Sequence, residues 1–131
     1  MHQRVVIGLA VSAFTQVLLG GIALTAFPGL AGGLQPWPAA LQAGLIAWLA
    51  SLAGAFAARR PFLRAALLLW AVGWASSTVI ALWLAGGRFD SSALAAANAR
   101  VVMVSGVATV LGVLAGQWLT GFMRRRVAAE R

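Results

Sequence analysis

Four long apolar stretches alternate with short polar or turn-rich ones along this chain. Cut at the arginine clusters and the Pro/Gly-rich stretches, the apolar runs cover 5–27, 39–58, 65–85 and 101–123. None of them contains Asp, Glu, Lys, Arg or His. Spanning the hydrocarbon core of a bilayer takes about 20 mostly apolar residues. Only helices and closed barrels satisfy every backbone group in lipid, and runs of this length without strict alternation predict helices.

The connections support the same reading. The first, 28–38, holds three prolines and three glycines and cannot continue a helix. The second, 59–64, is short enough to force a tight hairpin, with Pro61 suited to the first turn of the third helix. In the third, Asp90, Ser91 and Ser92 resemble a helix N-cap with an acid at the positive end of the dipole. An Ala-rich stretch then runs straight into the fourth span. A helix over 92–123 would be roughly 48 Å long at 1.5 Å per residue, more than the hydrocarbon needs. Segment 91–100 therefore either projects from the membrane or breaks near Asn98 and lies along its interface. The expected fold is all-α: a polytopic membrane protein with a single domain over 1–131. It is an antiparallel bundle of four transmembrane helices with a basic tail at 124–131.

Composition makes the bilayer the solvent. Hydrophobic residues form 62% of the 131 positions and charged residues 9%, whereas a soluble domain carries about a quarter charged residues. A mean hydropathy of +0.92 cannot be hidden in so small a core.

The charges then set the expected orientation. All ten basic residues are arginines, and eight fall on one side: Arg4, Arg59, Arg60, Arg64, Arg124, Arg125, Arg126 and Arg131. Arg88 and Arg100 fall on the other. By the positive-inside rule both termini are cytoplasmic, in a bacterial inner membrane, and so strong a bias opposes insertion both ways round. The net charge of +8 is thus read as topogenic, without a nucleic-acid partner. Arg59, Arg60, Arg124, Arg125 and Arg126 are candidates for anchoring topology and for meeting anionic headgroups. A cleaved signal peptide is the alternative for the first span, with Gly29, Leu30 and Ala31 as a passable site. Its 23-residue apolar run exceeds the usual h-region of about 7–15 residues, so retention is expected.

Little chemistry is left. The chain has no Cys and no Tyr. Its two carboxylates, Asp90 and Glu130, are assigned to opposite sides of the membrane, and His2 is terminal. No acid/base pair, triad or metal cluster can then assemble within one chain, so neither an enzyme nor a cofactor is expected. Ion-coupled transport usually depends on an ionisable group inside the membrane, and the spans hold none.

What the spans offer is small and weakly polar residues four apart, the spacing that lets helices approach in lipid. The stripes are Gly8, Ser12, Gln16, Gly20; Ala43, Ala47, Ser51, Ala55; Gly73, Ser77, Ala81; and Ala108, Gly112, Gly116, Thr120. Gly112 and Gly116 form a GxxxG, read either as packing within one bundle or as a homo-oligomer interface. Ser12, Thr15 and Gln16 share one helical face, expected to point away from lipid. By depth, Gln16 falls level with Gly112, with Ser76 and Ser77, and with Trp48. Spans one and four are therefore expected to be neighbours, with the Gln16 carboxamide near Gly112. Trp37 and Trp83 fit an outer aromatic belt and Trp118 an inner one. Trp48, Trp70 and Trp74 lie deeper, as packing residues or as a flat face for a lipid, quinone or drug-like ligand.

Two functions from different classes follow. The first is a non-catalytic accessory or assembly subunit, acting by helix packing against a membrane-protein partner or copies of itself. The second is a compact channel or transporter for a small neutral or hydrophobic solute, lined by Gln16, Ser76 and Ser77. A holin-like protein is a third, resting only on size and the basic tail.

Overall fold

A computed structural model of the chain describes residues 3–26, 36–59, 61–84 and 91–129. These form four helices: α1 (Gln3–Ala26), α2 (Pro36–Ala58), α3 (Leu63–Leu84) and α4 (Ser91–Ala129). Among the described residues there is no strand, and each helix contains a stretch long and apolar enough to cross a membrane. Loop 27–35, Arg60, Asp90 and the terminal residues His2 and Glu130 lie outside the described residues.

The helix ends differ from expectation in physically intelligible ways. α2 starts at Pro36, ahead of the expected 39. Both Pro36 and Pro38 fall in the first turn, where a missing N–H costs no helical bond. At its other end Arg59 adopts a left-handed φ of 52°, and its N–H donates to the Ala55 carbonyl at 3.2 Å. That is the αL form of helix termination, usually assigned to glycine. Pro61 is not in the first turn of α3. The Ala66 N–H donates to the Phe62 carbonyl at 3.0 Å, which makes Phe62 the residue flanking the helix and puts Pro61 outside it. α4 runs unbroken for 39 residues, about 58 Å at 1.5 Å per residue, so there is no break at Asn98. It also takes in Arg124, Arg125 and Arg126, so the helix continues into the basic tail.

Packing departs further from expectation. The most extensive contact is between α2 and α4, followed by α1 on α2, with α3 held mainly by α4. α1 and α4 make no contact among the described residues, so the expected neighbourhood of spans one and four is wrong. Gln16 does not meet Gly112. The reason lies in which helix offers glycine to which backbone. A Cβ on Gly112 would collide with the Trp48 carbonyl of α2, and one on Gly116 would lie 2.7 Å from the Leu52 carbonyl. A Cβ on Gly44 would lie 2.8 Å from Val104 and 3.8 Å from Ala108. Positions 44, 48 and 52 thus meet 108, 112 and 116 in rising order, and α2 and α4 run side by side in the same direction. With no hydrophobic force between helices in lipid, such backbone approach is what van der Waals packing requires.

A second crossing closes one end of the molecule. A Cβ on Gly8 would lie 2.8 Å from the Gly54 carbonyl, and one on Gly54 would lie 2.8 Å from the Gly8 carbonyl. Each helix presents a bare Cα to the other's oxygen. Phe62, fully buried, rests its ring edge against both glycines. It forms the core with Ala55, Ala58, Ala66 and Val113, against which Val5 and Leu9 pack.

Candidate functional site

Away from that closed end, α1 and α3 leave a cleft of about 500 Å³ between them. Gln16 and Gly20 of α1 form one wall, and Trp70, Gly73, Trp74 and Ser77 of α3 the other. Ala43 and Ala47 of α2 and Ser105 of α4 also line it. The volume is within the range of small-molecule sites, roughly 300–1,000 Å³.

One buried hydroxyl fixes the aromatic wall. The indole N–H groups of Trp70 and Trp74 both donate to Ser105 Oγ, each at 3.1 Å. Ser105 in turn donates to the Val102 carbonyl at 3.1 Å. Four residues apart on α3, the two rings therefore converge on a single acceptor on α4. A Cβ on Gly106 would meet the Trp70 ring at 3.1 Å, so the absence of a side chain there admits the indole. With both N–H groups satisfied, the rings offer the cleft faces rather than donors.

The other polar groups are placed differently. Ser77 Oγ donates back to the Gly73 carbonyl at 2.8 Å, as Thr15 does to Val11. Of the face that carries Ser12, Thr15 and Gln16, Ser12 is buried and Thr15 half-buried, whereas Gln16 is exposed at the cleft, and its carboxamide makes no hydrogen bond among the described residues. Gly20 and Gly73 have nothing within 4 Å of where a Cβ would be. Among the described residues, no other helix packs against the Cβ side of either glycine.

The sequence candidates thus separate. Gln16, Trp70, Trp74 and Ser77 share the cleft, whereas Ser76 is exposed and is not part of its wall. Trp48 is apart from it, half-buried, with its carbonyl over Gly112. Ser12 is buried beneath the cleft beside Gly54. Gly112 and Gly116 face α2. Arg59 terminates α2, and Arg125 and Arg126 are exposed at the end of α4; the Arg124 side chain is outside the described set. Among the described residues, no three His, Asp or Glu side chains cluster as a metal site would require.

Sequence reasoning missed Ser105, Gly44, Gly54, Gly106 and Phe62. A donor count could have found the first, since two buried indole N–H groups in lipid need an acceptor. It also missed Phe122, which stacks on Trp118 with centroids 5.7 Å apart and carries the Arg126 guanidinium 4.7 Å above its ring. At the other end of the same helix, the Arg100 guanidinium lies 5.6 Å from the Trp37 ring of α2. Compared with protein-family models, curated proteins and solved structures, the chain matches none.

Proposed function

We propose that this protein is a non-catalytic subunit of the bacterial inner membrane, crossing it four times with both termini in the cytoplasm. It works by accepting a partner transmembrane helix in the cleft between α1 and α3. The observation that carries this reading is the pair Gly20 and Gly73, which line the cleft with open space above each Cα. Glycine costs a helix stability relative to alanine, about 0.8–1.0 kcal/mol. In a seam between helices close approach repays that cost, yet among the described residues no helix comes against the Cβ side of either glycine. By contrast Gly112 and Gly116 are already occupied by α2, which argues against the GxxxG as an external interface.

The proposed depth of α4 in the bilayer has its own support. Arg100 and Arg126, each held over an aromatic ring, are 26 residues apart on α4, about 39 Å along the helix. That suits a bilayer of roughly 40–45 Å including its headgroup regions, with 91–99 projecting on the outer side. In this reading Arg125 and Arg126 meet anionic headgroups on the cytoplasmic side.

A photoreactive residue at position 20 tests the subunit reading in cells. The expected result is one discrete crosslinked product, lost when Gly73→Leu fills the opposite wall while the protein still accumulates. A strict monomer in mild detergent, with no crosslinked product, would overturn it. The alternative, a path for a small neutral solute, is favoured by one fact: Gln16 and Ser77 share the cleft and Gln16 has no hydrogen-bond partner. Flux into reconstituted vesicles should then fall with Gln16→Leu, and unchanged flux would dispose of it.

A further inference from the structure

Beneath the cleft, Ser12 of α1, Ser51 of α2 and Thr109 of α4 are 3%, 4% and 2% exposed. All three line a chamber of about 10 Å³, with Gln16, Ala47 and Trp70 among its other walls. Thr109 donates to the Ser105 carbonyl at 2.8 Å, which leaves its oxygen free to accept. The hydroxyls of Ser12 and Ser51 make no hydrogen bond. Even so, no side-chain oxygen among the described residues is both sealed off and unbonded. The two serine oxygens therefore keep their access to the chamber, although their residues are almost wholly buried.

A hydroxyl without a partner in an apolar medium is costly, and a helix lining a seam has easy ways to avoid it, such as alanine. The chamber is about one water in size: a cavity needs at least about 10–15 Å³ on this measure to hold one, together with two to four polar partners. We propose that it binds a single water molecule. The Ser12 and Ser51 hydroxyls each donate to it or accept from it, the Thr109 oxygen accepts, and Gln16 is within the same wall as a fourth partner. Among the described residues no ionisable group lines the chamber, so a cation there would lack a counter-charge, whereas a neutral water needs none. The water joins α1 to α4, two helices whose backbones do not approach each other among the described residues. Gln16 lines both chamber and cleft, so it stands between this water and the membrane-facing opening.

Nuclear magnetic resonance of the whole chain in detergent micelles or nanodiscs tests the proposal through magnetisation transfer from water to backbone amides. Wild type should show transfer at the amides around Ser12, Ser51 and Thr109. Ser51→Val, which fills the chamber with methyl groups, should abolish it while amide shifts elsewhere and helical circular dichroism are unchanged. If Ser51→Val fails to fold, Ser12→Val fills the same chamber from α1 instead. Absence of transfer in wild type, or transfer undiminished in the folded variant, would overturn the proposal. So would amide shifts at these three residues that titrate with sodium chloride but not with choline chloride, which would assign the chamber to a cation.

Discussion

At the scale of single residues, two positions hold more of the structure than their chemistry advertises. Arg59 occupies a left-handed conformation that costs a non-glycine residue about 1–3 kcal/mol. Its charge is one of eight arginines assigned to the same side, so orientation does not hang on it alone. Arg59→Gly should therefore be more stable than Arg59→Ala by about 1 kcal/mol, since both give up the same side-chain interactions, read as the difference in the midpoint of thermal unfolding in detergent. Arg59→Val should lower that midpoint. Ser105 is the other. Ser105→Ala leaves two indole N–H groups without an acceptor, and interhelical hydrogen bonds in membranes average about 0.6 kcal/mol each. A loss of about 1 kcal/mol is expected, with a change in tryptophan fluorescence as α3 loosens from α4. Neither position is marked by local pattern, and Ser105 is reachable only by counting the indole donors that need an acceptor. A helix stop written with arginine has no glycine to mark it, and one serine among several apolar neighbours carries no spacing signal.

At the scale of elements, the existence and rough limits of four helices were legible, because runs free of charge are a strong and local signal. The pairing of helices was not. Depth along each span was readable from the sequence, but depth says nothing about direction around a helix axis, and Gln16 level with Gly112 does not bring them together. The four-residue stripes were only half informative for the same reason. Ala47, Ser51 and Ala55 are buried as the second stripe requires, and Ser51 and Ala55 lie against Gly112 and Gly116, yet equally tight contacts come from Gly44 and Gly54, beside that stripe. α2 packs on two sides at once, so a single stripe could not describe it. Glycines of the two kinds should respond oppositely to substitution. Gly112→Val pushes α2 and α4 apart and should cost roughly 1–3 kcal/mol, as overpacking of a close-packed interior does. Gly73→Ala meets open space and should add up to about 1 kcal/mol through helix propensity. Denaturant titrations of the two variants, monitored by circular dichroism, distinguish these signs.

At the scale of the whole molecule, the absence of cysteine makes the arrangement directly testable. Gly44→Cys with Val104→Cys should form a disulfide in membranes, whereas Gln16→Cys with Gly112→Cys should not. The reverse outcome would mean that α4 pairs with α1. Such an arrangement also has an order in time. Gly8, Gly54 and Phe62, which close one end, have all been synthesised by residue 62, whereas the α2–α4 seam waits for Gly112 and Gly116. Because chains fold from the N-terminus as they emerge, the first crossing can lock while the later helices are still on the ribosome. During that interval the backbone of α2 around Gly44, Trp48 and Leu52 faces lipid or the insertion machinery, bare on the side that α4 will cover. The helix made last is therefore the one for which the earliest-made surface must be kept vacant, and a nascent chain stalled before residue 101 would expose that surface to whatever small-residue helix is nearby.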